Sequence, residues 1–267
     1  MLWVRSIVEQ VQRAAALAER QQRAARGVQP RQWDLDALPI RTRKASTQRR
    51  QAADIELVVV HVTAVRGGFG VQRWGPEGWQ TWLGRVRAGD VPAPILAQLA
   101  RHELDQQDEQ ELARRLALWC RYRNTPYHQI ATRTGDSLAN RRLSERSWHG
   151  NAGNVGVGFA VDCSPTETCD GILRQTAIAA FRRLVERLRD AGNKHKLQVA
   201  PHRAFSAQRR GDTGREVWRQ VVRPAVAELD GVDVDLDLRV GNGRPVPRSW
   251  DPQANHDDRG REIAADD

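Results

Sequence analysis

The sequence predicts an α/β fold, and three observations carry that reading. Residues 55–63, IELVVVHVT, are a short apolar run rich in β-branched side chains, the pattern of a strand buried on both faces. Residues 171–191 form an amphipathic helix with Ile172, Ala179, Leu184 and Leu188 turned inward and arginines outward, closed by Gly192 as a C-cap. Residues 196–200, KLQVA, then read as a second short strand that ends just before His202. With 267 residues, 40% of them hydrophobic, the chain can bury a proper core and suits one domain with tails.

Taken from the start, the first ~30 residues read as an amphipathic helix with Val4, Val8, Val11 and Ala15 on one stripe. Residues 1–50 as a whole hold eleven Lys or Arg against four Asp or Glu, so most of the formal charge of +9 lies in this basic N-terminal helix and arm. The arm is either a solvated tail or a contact for anionic material. The segment 66–90, with glycines and Trp74, Trp79 and Trp82, reads as an irregular surface stretch whose tryptophans pin it to the core; a sugar-stacking groove is the other reading. Helices are expected over 95–102 and 109–122, the latter with Leu112, Leu116 and Trp119 on one face.

Residues 124–130, NTPYHQI, pass from turn residues into a strand, so that Tyr127 and His128 should face opposite ways, and Gly135 and Asp136 mark a polar loop beyond it. Residues 147–162, SWHGNAGNVGVGFAVD, read as a Gly/Asn loop running into a strand. From Gly231 the alternation Val232, Val234, Leu236, Leu238, Val240 predicts an edge strand with Asp233, Asp235 and Asp237 outward. The acidic tail from Asp251 has no apolar pattern, which predicts disorder. Cys120, Cys163 and Cys169 are too few for a disulfide framework; they read as buried thiols, or as one 163–169 bridge. The opening MLWVRSIVEQVQR has no signal-peptide core, and no apolar run approaches a membrane span.

Three residues invite chemistry together. His61 falls near the carboxyl end of the first strand, the end that faces the ligand crevice in open α/β sheets. His202 repeats that placement, and Asp212 follows ten residues later before a helix. Thr213–Glu216, TGRE, reads as a capping box, which leaves the Asp212 carboxylate free to bind a metal.

Read in order, the strand bearing His61, the TPYH segment, the WHGNAGNVGVG stretch and the PHR…RRGDTG segment resemble the zinc-dependent N-acetylmuramoyl-L-alanine amidases, a fold shared with phage endolysins and peptidoglycan recognition proteins. The resemblance spans roughly residues 54–225. It implies one domain with a central mixed β-sheet flanked by helices, over 51–228, with an insertion at about 66–108, preceded by the 1–50 arm and followed by the 229–267 edge strand and tail. It implies His61, His202 and Asp212 as ligands of Zn2+, Tyr127 and Arg210 as catalytic groups, and His149 and Asn151 as substrate contacts. The chain departs from the family in three places: Thr213 replaces the proline after the aspartate, Arg210 stands where many members have lysine, and Gly158 stands where recycling-type members have glutamate.

That ligand set matches what hydrolysis of an amide at neutral pH needs. Three protein ligands on Zn2+ leave a position open for water, whose pKa then falls towards ~7. The implied substrate and partner is peptidoglycan, cut between the lactyl group of N-acetylmuramic acid and L-alanine, and the rival function is peptidoglycan binding without hydrolysis. A monomer is expected, made without a signal peptide and acting on the cell wall after release or lysis, or as a cytoplasmic recycling enzyme; the basic arm would hold an anionic envelope. Nucleic acid rests on charge alone, since no helix-turn-helix, zinc-finger or RNA-binding signature is present.

Overall fold

The computed structural model describes residues 30–35, 50–63, 76–104, 108–123, 125–146, 156–164, 166, 168–169, 171–209 and 211–251. The apolar run becomes β2 (Leu57–Val62), buried at all its positions. It lies inside a seven-stranded sheet with β1 (Arg31–Asp34), β3 (Gln129–Ala131), β4 (Asp136–Ala139), β5 (Gly156–Val161), β6 (Leu197–Pro201) and β7 (Val232–Val234), in the order β1-β4-β3-β5-β2-β6-β7. β3, β5, β2, β6 and β7 are mutually parallel, while β4 pairs with β3 antiparallel and carries β1 alongside it. The sheet is therefore mixed, as expected.

Alternation along the strands sorts side chains to two covered faces. Val58, Val60 and Val62 of β2, with Val157, Phe159 and Val161 of β5, pack against α4 (Gly171–Asp190) and the helical stretch that follows β6. That stretch runs from α5 (Arg215–Val217) through a π-helical turn (Trp218–Val222) into α6 (Arg223–Ala227). On the other face, α1 (Pro76–Arg87), α2 (Ala93–Arg101) and α3 (Glu109–Arg123) cover Trp33, Ile130, Leu138 and Ala160. Leu57, Val59 and Ala200 share that second face but meet Phe205, Leu238 and Val240 instead. His61, two residues beyond Val59, thus emerges between two apolar clusters.

Several expectations change. Residues 76–87 are a helix rather than an irregular surface stretch: Trp79, Trp82, Leu83 and Val86 follow helical spacing, Trp82 is buried, and Arg114 lies 5.2 Å over the Trp79 ring. The glycines that suggested a loop at 67, 68 and 70, and Trp74, lie outside the described residues. β1 belongs to the sheet although it falls within the 1–50 arm, because Trp33 is buried against Trp119 and its indole N–H donates to Asp136 at 3.0 Å. The supposed polar loop at Asp136 is strand β4, and its carboxylate is wholly buried between Arg31 and Arg115 at 2.9 and 3.1 Å.

The edge strand stops at Val234, since the chain then bends to lay Leu236 on one core cluster and Leu238 and Val240 on another. The residues up to Asp251 remain packed, Asp251 pairing with Arg223 at 3.0 Å; the tail beyond, like residues 1–29 where an amphipathic helix is expected, lies outside the described residues. All three cysteines are free and buried, with Cys163 and Cys169 sulfurs 3.4 Å apart. No helix among the described residues is long and apolar enough to cross a membrane.

Candidate metal centre

β2 and β6 run side by side, Val60 opposite Pro201, so their carboxyl ends present His61 and His202 together. Proline has no N–H to extend the ladder, and the chain turns at once into a short 3-10 helix (His202–Ala204). The two imidazole centroids are 4.4 Å apart. Asp212 closes the group: its Oδ2 lies 2.9 Å from His202 Nδ1 and 3.6 Å from His61 Nδ1. One ligand atom from each of the three residues can be chosen so that all lie within 4.8 Å of one another.

The loop that carries Asp212 is fastened to β2 and to itself. The Val62 N–H donates to Asp212 Oδ1 at 2.9 Å, which leaves Oδ2 facing the histidines, the kind of outer hydrogen bond that orients a metal ligand. Thr213 Oγ1 donates to Val60 O at 2.7 Å, and the Arg203 N–H to Asp212 O at 2.9 Å. The expected capping box is therefore absent. Gly214 is the N-cap without a side-chain cap bond, and Glu216 accepts from Gln220 at 2.8 Å instead. Asp212 is still available, but because the Thr213 hydroxyl serves β2 and not the helix.

A second support comes from the C-terminal part. The Val240 N–H donates to Ala204 O at 2.9 Å and the Arg244 N–H to Arg203 O at 2.8 Å, so 240–244 braces the turn just after His202. Gly243 is required there: a Cβ would stand 1.8 Å from Ala204 O. Sequence reading placed these residues in the 229–267 edge strand and tail, outside the 51–228 domain, and missed the brace; the alternating apolar residues to Val240 were its only signal.

The electrostatics suit cation binding. Burial lowers the His61 pKa and keeps its imidazole neutral, with a lone pair to offer, while the nearby Asp212 carboxylate acts the other way. Burial would raise the Asp212 pKa, but the hydrogen bond with His202 at 2.9 Å and the nearness of the His61 imidazole outweigh it and hold the carboxyl below the usual carboxylate range. Two imidazoles and a carboxylate are a donor set that zinc accepts, so these residues fit the ion.

Tyr127 also reaches the group, its ring centroid 5.0 Å from that of His61. It is buried, and burial first and the Asp212 charge second raise its pKa, so the phenol keeps its proton. His128 turns elsewhere: its Nδ1 accepts the Gly158 N–H at 3.0 Å and its Nε2 lies 3.0 Å from Glu145 O. The two side chains diverge as expected, although β3 begins only at Gln129. His149, Asn151 and Arg210 lie outside the described residues. Arg209, which sequence reading passed over, contributes positive charge felt by both His61 and Tyr127.

No protein-family model matches the chain, and no curated protein matches it. Among solved structures it is similar to the Drosophila peptidoglycan recognition protein SD, with 11% identity and TM-score 0.42 over 76% of this chain and 96% of that one. It is likewise similar to a chain from the ectodomain complex of peptidoglycan recognition proteins LCa and LCx bound to tracheal cytotoxin, with 13% identity and TM-score 0.42 over 76% of this chain and 98% of that one. Both likenesses are remote, and the chemistry is read from this chain's own side chains.

Proposed function

We propose that the chain is a zinc-dependent N-acetylmuramoyl-L-alanine amidase that hydrolyses peptidoglycan. The observation that carries this reading is the convergence of His61, His202 and Asp212, with ligand atoms within 4.8 Å, beside a buried, protonated tyrosine. His61, His202 and Asp212 would hold the ion, and Zn2+ when bound supplies Lewis acidity, which acidifies water and polarises a carbonyl. Asp212 keeps one oxygen on the Val62 N–H and so holds the other in place. Tyr127 keeps its proton and can donate it in a hydrogen bond to the oxygen that gains charge as water adds to the lactyl carbonyl. The new bond is from water oxygen to carbonyl carbon; the carbon–nitrogen bond breaks, and the L-alanine amine leaves with a proton.

Arg210 would add positive charge near that oxygen, with Arg209 beside it in sequence, but a guanidinium cannot give up its proton and serves only as charge. His149 and Asn151 would contact the glycan or stem peptide. We take the functional unit as 51–228 together with β1 and the 240–244 brace, acting as a monomer on the cell wall after release or lysis. The basic arm within 1–50 would hold it on an anionic envelope.

A second reading, peptidoglycan binding without hydrolysis, is favoured by one contact: Asp212 Oδ2 and His202 Nδ1 are already paired at 2.9 Å and so are satisfied without an ion. Purified peptidoglycan incubated with the protein, with and without a chelator, separates the two by mass spectrometry of freed L-alanine amino termini. Chelator-sensitive release is expected, with Tyr127→Phe releasing far less while keeping its metal. Sedimentation with peptidoglycan but no release would establish the second reading.

A further inference from the structure

Two of the three cysteines meet inside the fold. Cys163 follows β5 by two residues and Cys169 lies just ahead of α4, and their sulfurs stand 3.4 Å apart with both residues at 0% exposure. The Cys163 N–H donates to Val161 O at 2.9 Å, which folds the chain back at the end of β5. The Cys169 N–H donates to Gln220 Oε1 at 3.0 Å, and the Gln220 amide donates in turn to Glu216 at 2.8 Å, so the second cysteine is held on the helical stretch that follows Asp212. Both side chains belong to the apolar cluster under α4, whereas Cys120 belongs to the cluster on the other face of the sheet. The sheet thus separates Cys120 from the pair.

A buried thiol by itself is an inert apolar filler. A pair with its sulfurs this near can instead clip a metal or form a disulfide. A zinc site takes three or four protein ligands, and among the described residues the one group of three or more His, Cys, Asp or Glu side chains able to hold an ion is His61, His202 and Asp212, which contains neither cysteine. Two thiolates alone do not make such a site. The disulfide asks for less: its sulfurs lie about 2.05 Å apart, so the pair has to close by roughly 1.4 Å, which rotation about the two Cα–Cβ bonds supplies.

We propose that Cys163 and Cys169 close to a disulfide in oxidising surroundings, with a low-molecular-weight disulfide as the oxidant. The thiolate of one cysteine attacks a sulfur of the oxidant and releases one thiol, leaving a mixed disulfide; the other cysteine then attacks the protein sulfur of that bond and releases the second thiol. The two cysteine protons and the two electrons end on the released thiols, and the Cys163–Cys169 bond is the new bond in the protein. Because both sulfurs are buried, the exchange runs while the segment between β5 and α4 folds or opens locally. Once closed, the bridge pins the start of α4 to the end of β5. It shares no residue with the metal group and does not depend on hydrolysis there.

The test incubates the full, metal-free chain with oxidised glutathione, once native and once through a cycle of unfolding and refolding, then alkylates the remaining thiols under denaturing conditions. Trypsin leaves both cysteines in one peptide, 147–174, and Cys120 in another. In the refolded sample that peptide should be lighter by two hydrogen atoms and carry no alkyl group, while Cys120 is alkylated; the native sample should follow more slowly. Dithiothreitol before alkylation should put two alkyl groups on the same peptide. The oxidised chain should melt about 5 °C above the reduced one, and Cys163→Ala should show no such redox-dependent shift. Two alkyl groups on 147–174 in the refolded sample without dithiothreitol would overturn the proposal, as would a bond to Cys120 or glutathione left on both cysteines. So would a redox-dependent shift of the same size in Cys163→Ala, which would place its source elsewhere.

Discussion

His61 and His128 are both buried, and both adjoin apolar strand residues, yet their surroundings differ in kind. Around His128 the ring nitrogens are used by the backbone and one arginine: Gly158 donates to one, and Glu145 O and Arg50 Nη2 lie 3.0 and 3.1 Å from the other. Around His61 the neighbours are a second imidazole, a carboxylate and a phenol ring. The first is a histidine that completes a sheet, where β3 has not yet begun to pair with β5. The second is one whose neighbours are themselves ligand groups, brought from strands and loops far apart in sequence. Burial does not separate a brace from a candidate metal ligand; the chemistry of the partners does.

The sharpest way to strain this contrast is to attack the brace behind His202. Gly243→Ala places a methyl against Ala204 O, and the turn must shift; a loss of about 3 kcal/mol in unfolding free energy is expected, with weakened metal binding, measured by denaturant melts and metal titration. Next, in metal-free protein, His128→Ala should cost about 2 kcal/mol because the buried Gly158 N–H loses its acceptor. His61→Ala should cost clearly less in the same melts, since Asp212 keeps Val62 and His202. Equal losses would erase the distinction.

Acid offers a third test. Burial first, then the charge of Arg50 with Arg187 and Arg141 further behind, lowers the His128 pKa well below the ordinary value of about 6.5. The unfolded chain therefore takes up a proton that the folded chain refuses, so stability falls as pH drops below about 6.5, by at most about 1.4 kcal/mol per pH unit for this group. His128→Gln, whose amide oxygen can still accept from Gly158, should flatten that slope in melts taken from pH 7 to pH 5. An unchanged slope would assign the acid sensitivity to other groups. Smallest of the series, Thr213→Val removes the bond to Val60 O and should cost about 1 kcal/mol in the same melts.

These contrasts also mark what sequence could reveal. β2 was legible because six consecutive buried positions leave an unbroken apolar run, and α4 because its apolar stripe spans five turns before Gly192. His61, His202 and Asp212 were legible through placement, each at the end of a recognisable segment. The helix α1 was hidden by the glycine-rich residues ahead of it, which masked the spacing of Trp79, Trp82, Leu83 and Val86. Thr213 was misread because a local capping motif and a bond to a strand some 150 residues away look the same in sequence. The same holds for Gly243, whose reason is the backbone of Ala204.

The central claim is that His61, His202 and Asp212 form one metal site while His128 does not. Metal content after dialysis against Zn2+, measured on the parent chain and on the His202→Ala and His128→Gln variants, tests it most directly. One ion per chain is predicted for the parent and for His128→Gln, with none retained by His202→Ala. Equal zinc in the parent and in His202→Ala, or loss of zinc in His128→Gln alone, would contradict the assignment.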